Sequence, residues 1–140
     1  MLNFLRSAGA FVLFGAVLLP PAQAMAFDLS GAWATDAGLC SQVFTKKGNE
    51  VEFAELSDLF GSGFIIEGSR IRGKSGRCTI TSRKQDGDSI ELAAACASSV
   101  MTQNLNFSLK VIDDNSLSRL FPDIPGMTLK YVRCAPLKGQ

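Results

Sequence analysis

The sequence predicts an all-β protein, a small antiparallel up-and-down barrel with a β-sandwich as the alternative. Eight to ten short apolar-polar runs follow one another at regular spacing, joined by turn-forming residues, and no helical period appears after the first 26 residues. A meander of about a hundred residues would expose two sheet edges if left open, and closing into a barrel removes them. A third observation is the stretch Arg77 to Cys96, which reads as one hairpin with a cysteine at each outer end.

Residues 1–26 have the form of a secretory signal peptide. Arg6 precedes an apolar run from Ala8 to Leu19, and small residues then allow cleavage after Ala24 or after Ala26. That run is shorter than the roughly 20 residues a membrane span needs. One β domain is therefore expected over 27–134, with a flexible tail over 135–140. The chain has 14 basic and 13 acidic residues; without Arg6 the two balance at 13 each. A neutral chain gives no reason to expect nucleic acid or an anionic membrane as partner. Four cysteines in an exported chain imply two disulfides and a periplasmic or secreted location.

The elements follow in order. Phe27 to Trp33 alternates and forms the first strand; Asp36 to Cys40 is a turn or helical corner. Val43 to Thr45 and Glu50 to Phe53 form a second hairpin, with Val51 and Phe53 inward. Leu56 to Gly63 lacks a two-residue period and reads as a loop or one helical turn. Phe64 to Ile71, broken at Gly68-Ser69, gives two short strands or a bent one. Met101 to Val111 alternates most clearly, with Leu105, Phe107, Leu109 and Val111 inward. Leu117 to Phe121 and Met127 to Cys134 complete the set.

In the central hairpin a three-residue turn centred on Gly87 sets Cys78 opposite Cys96, Ile80 opposite Ala94, Ser82 opposite Leu92 and Lys84 opposite Ile90. It also sets Arg83 opposite Glu91 as a cross-strand ion pair. Opposed strand residues come close enough for a Cys78–Cys96 bridge, which leaves Cys40 with Cys134. The rival pairing, Cys40 with Cys78 and Cys96 with Cys134, stays open because tertiary contacts can override a hairpin register. Cys134 has the parity of Val132, opposite to Tyr131, so its bridge has to lie outside the core or follow a bulge.

Gly31-Ala32-Trp33 resembles the Gly-x-Trp signature that opens lipocalins and related calycin barrels. The resemblance implies that Trp33 closes one end of a barrel with a basic residue of the last strand across its ring. Arg133 shares parity with Leu129 and Tyr131 and fits that role; Arg119 is the reserve. The whole chain after the leader also resembles small exported four-cysteine β-barrel proteins of proteobacteria, a group that brings no activity with it.

Histidine is absent, which removes the usual general base and the commonest metal ligand. No Cys-x-x-Cys is present. The acid pairs Asp86/Asp88 and Asp113/Asp114 sit in turns and read as turn chemistry. No catalytic residue, metal or cofactor is expected, and a carboxylate-based hydrolase is the least favoured reading. Two features could meet a partner. Arg70 and Arg72 belong to a run of basic residues with no acid between Glu67 and Asp86. Leu59, Phe60 and Phe64 flank Gly61-Ser62-Gly63 in an apolar loop, similar to the Ser/Gly-rich loop of periplasmic lysozyme inhibitors. The expected function is non-enzymatic: a monomeric exported protein that binds a small apolar ligand or, alternatively, inhibits a periplasmic protein.

Overall fold

A computed structural model describes residues 15–21 and 25–134. Most of residues 1–26, where a signal peptide is expected, and residues 135–140, where a flexible tail is expected, lie outside the described residues. Eight strands form a closed antiparallel barrel: β1 (Gly31–Ala34), β4 (Gly63–Glu67), β5 (Arg70–Arg72), β6 (Gly76–Asp86), β7 (Ser89–Ser98), β8 (Thr102–Asp113), β9 (Ser116–Leu120) and β10 (Thr128–Arg133). Each pairs with its sequence neighbour, and β1 closes the ring between β10 and β4. Among the described residues no helix is long and apolar enough to cross a membrane.

The hairpin of β2 (Phe44–Lys47) and β3 (Glu50–Phe53) is a separate two-stranded sheet and not part of the barrel wall. Val51 and Phe53 therefore face a satellite core on the barrel's outside rather than its interior. That core joins Ala32, Ala34 and Ile65, outward residues of β1 and β4, to Val43 and Phe44. The outward apolar residues of this cluster lie on two strands and need only a local cover, which a hairpin of two four-residue strands supplies. Cys134 is buried in the same cluster, bridged to Cys40 of the short helix α1 (Cys40–Val43). The parity of Cys134 is thus correct for a bridge outside the barrel. The second bridge is Cys78–Cys96.

The first strand is shorter than its alternation suggests: Phe27 to Ser30 lie before β1 and run against the barrel end. The central hairpin corrects two details of the register. Its loop is two residues, Gly87-Asp88, between paired Asp86 and Ser89, with Gly87 at φ 59°. Glycine at the first position of a two-residue loop suits the hairpin twist. A β-bulge lies between Ile80 and Ser82. The shorter turn and the bulge each shift the register by one and cancel, so Cys78–Cys96 and Ile80–Ala94 pair as expected. Between them the register differs: Ser82 faces Ala93, Arg83 faces Leu92 and Lys84 faces Glu91. Arg83 and Glu91 consequently form no ion pair; the Glu91 carboxylate accepts from the Ser108 hydroxyl instead.

Candidate functional site

The barrel's two ends are filled differently. At one end Trp33 is fully buried, and its indole N–H donates to the Leu29 carbonyl at 2.9 Å. The guanidinium of Arg133 lies 4.4 Å over the Trp33 ring and 5.6 Å from the Phe27 ring. It donates to the carbonyls of Ser30, Asp28 and Asp114. Gly31 packs beside Arg133 at φ 125°, a backbone conformation that only glycine takes without strain; a Cβ there would reach Arg133 at no closer than 3.6 Å, an ordinary contact.

The bulge in β6 serves the same end. By re-aiming the strand it turns Arg83 and Gln85 to the parity of Ile80, toward the closing segment. Arg83 then donates to the Phe27 carbonyl, and the Phe27 amide donates to the Gln85 side-chain oxygen. Asp28, in the same segment, has its carboxyl held below the ordinary range, first by the Ser30 amide that donates to it and then by the nearby charges of Arg133 and Arg83.

From this plug an aromatic ladder climbs the barrel axis. Phe27 and Trp33, Trp33 and Phe64, and Phe64 and Tyr131 have ring centroids 6.4, 6.4 and 4.8 Å apart. Phe64 and Tyr131 form the floor of a cavity of about 390 Å³ that occupies the other half of the barrel. An eight-stranded barrel is just wide enough either to be filled by side chains or to hold one small ligand. Here the local sequence decides which. Around the mouth Gly73, Ser75, Gly76, Ala97 and Ser98 are too small to reach the axis. Below it Ile90 and Leu117 fill the bore. The cavity walls are Ile66, Ile71, Leu92, Leu105, Phe107 and Leu109, with the Cys78–Cys96 bridge on one side. The volume lies within the roughly 300–1,000 Å³ of small-molecule sites.

Among the described residues one cation, Arg119, faces this space from the wall, and no carboxylate lines it. Arg77 borders only the rim, on the outward parity of Arg72. Arg119 is not near Trp33, so it does not act as the reserve for Arg133; its guanidinium lies 4.7 Å from the ring centroids of both Phe107 and Phe121. Its inward direction follows the alternation Leu117, Arg119, Phe121 in the sequence.

The remaining candidates separate. Phe64 belongs to the barrel interior and not to the loop, because β4 already begins at Gly63 and its alternation points Phe64 at Trp33. Leu59 and Phe60 lie on a 3-10 turn (Ser57–Phe60) and are 70% and 39% exposed. Arg70 and Arg72 point outward from β5, where Arg72 faces Arg77 directly across the sheet. Arg72 is engaged by the Val51 carbonyl at 2.8 Å and the Glu67 carboxylate at 3.1 Å, fastening the outer hairpin to the barrel. The acid pairs occupy turns, where the Asp113 carboxylate accepts from the Asn115 amide. Among the described residues no group of three or more His, Cys, Asp or Glu is placed to share a metal ion. Compared with family models, with curated proteins and with solved structures, the chain matches none.

Proposed function

We propose that the protein is an exported, non-enzymatic carrier or sensor of a small apolar ligand held inside the barrel. The observation that carries this reading is the one-ended cavity: apolar walls, an aromatic floor, and a mouth kept open by small residues. Burial of apolar surface in such a preformed space favours binding without requiring catalytic groups. The test is fluorescence titration with N-phenyl-1-naphthylamine, a neutral apolar probe. A saturable one-to-one enhancement is expected, and Leu105→Trp, which places an indole in the cavity, should weaken it at least tenfold. No saturable enhancement, or equal binding by Leu105→Trp, overturns the reading.

A second reading, inhibition of a periplasmic protein, is favoured by one feature. Leu59 and Phe60 are presented on a turn pinned from below by Lys74, whose ammonium donates to the Ala54 carbonyl and the buried Ser57 hydroxyl. Exposed apolar side chains on a fixed turn suit a protein anchor. Inhibition of a lysozyme that is lost in Leu59→Asp while naphthylamine binding persists would support it.

A further inference from the structure

Arg119 is a cation within an apolar cavity, and among the described residues no carboxylate pairs with it. Its two contacts are with aromatic faces, Phe107 on β8 and Phe121 just past β9. Ring faces attract the guanidinium charge but accept none of its in-plane N–H bonds. The donors are therefore positioned but unused by any protein acceptor. Arg119 is only half-buried and none of its nitrogens is both buried and unpartnered, so solvent reaches them. A ligand that covered the charge without an acceptor would incur its desolvation, and an anionic one would not.

The position of the group sets the orientation of what would complete it. Arg119 pairs with Leu109 and Leu129 across its neighbouring strands, one level toward the mouth from Leu117 and Tyr131. Phe121 follows the end of β9 on the mouth side, so the guanidinium sits between the aromatic floor and the opening. Arg77 borders the same rim but lies on the outward parity of Arg72, so Arg119 is the one cation of the described residues that faces the bore. A tail would thus lie against Ile66, Leu92 and Leu109, with its polar end level with Arg119.

Resting on the apolar-ligand reading above, we infer that the ligand is an anionic amphiphile, with an apolar tail and a carboxylate or phosphate head bound by Arg119. The two heads share one chemistry, a planar or tetrahedral oxyanion that a guanidinium fork meets with two parallel hydrogen bonds. Lysine in place of arginine would keep the charge and lose the fork.

The experiment is displacement of bound N-phenyl-1-naphthylamine by oleate, by oleyl phosphate and by oleyl alcohol, which share one tail and differ in the head. Wild-type protein should bind at least one of the two anions tenfold or more tighter than the alcohol. Arg119→Gln should lose that preference while its affinity for the alcohol stays within about twofold, which also shows that the cavity is intact. Arg119→Lys should restore part of the preference, and adding salt should weaken anion binding but not alcohol binding. Equal binding of anions and alcohol by the wild type, or an equal loss of all three in Arg119→Gln, overturns the anionic head and leaves the apolar cavity standing. If neither the probe nor any of the three binds, the cavity reading itself fails. Oleate preferred over oleyl phosphate identifies a carboxylate ligand, and the reverse order a phosphate.

Discussion

The two ends of this barrel are built from the same strands and carry the same kind of residue, an arginine against aromatic rings, yet the arginines are satisfied in opposite ways. Arg133 at the closed end covers Trp33 and gives its N–H groups to three backbone carbonyls. Arg119 in the open half touches Phe107 and Phe121, with no carboxylate beside it. A cation over rings is thus structural where the backbone completes its hydrogen bonds and available for recognition where a cavity does. What separates them is local sequence. The segment Phe27 to Ser30 crosses one end and supplies carbonyls, whereas the other end is rimmed by glycine, serine and alanine.

If the closed end is the stabilising one, the largest losses should come from what ties it and its outer cover together. The Cys40–Cys134 bridge spans 94 residues against 18 for Cys78–Cys96. Chain entropy then assigns about 4–5 kcal/mol to the longer loop and about 3 kcal/mol to the shorter. Urea unfolding of the two paired Cys→Ser variants should rank them in that order. The reverse ranking would show that the open half depends on its bridge more than loop length allows.

Trp33→Ala should cost about 3–5 kcal/mol, the range for deleting a fully buried large aromatic. Phe107→Ala, a comparable deletion in the cavity wall, should cost clearly less, because that ring already borders empty space. Equal losses would mean that the cavity is packed in solution and that the two ends do not differ.

The bulge offers a finer test. Gln85→Ala removes the oxygen that accepts from the Phe27 amide and the Arg83 guanidinium and the amide that donates to the Gly87 carbonyl, and should cost about 1–2 kcal/mol, since these bonds are exposed. The same substitution at Lys84, on the outward parity, should change stability by less than about 0.5 kcal/mol. If the two variants unfold alike, the bulge does not serve the closed end.

Much of this was readable from alternation alone. The strands that make the barrel, the Cys78–Cys96 pair and the inward face of β8 follow from parity and turns, because a strand's side chains have a strict period of two, whereas the burial of Trp33 was implied by the Gly-x-Trp resemblance. The bulge at Thr81 left no such trace: Ser82, Arg83 and Lys84 are all polar, so a slip of parity there moves no apolar residue. The outer hairpin was legible as a hairpin but not as a cover, since alternation tells which side is apolar and not which surface it meets. The cavity was hidden for a related reason. Small residues at the ends of β6 and β7 read as turns in sequence, and only closure of the ring places them around a common axis.

The smallest expected effect is electrostatic and again confined to the closed end. The Asp28 carboxylate accepts from the Ser30 amide at 2.8 Å, with Arg133 and Arg83 adding charge attraction, and its pKa is lowered from 3.8. A carboxyl whose folded value lies below its unfolded value contributes stability fully above the unfolded value and loses it as pH falls through the folded one. Asp28→Asn keeps an oxygen acceptor for Ser30 and removes only the charge. The stability difference between wild type and Asp28→Asn should therefore be constant from neutral pH down to about 5 and shrink steadily below 4. Because the side chain is exposed, the difference should also shrink with added salt. Urea midpoints measured from pH 7 to pH 2.5 read this directly. A difference independent of pH would mean that Asp28 acts only as a turn former, and that Arg133 and Arg83 hold the closing segment through its carbonyls alone.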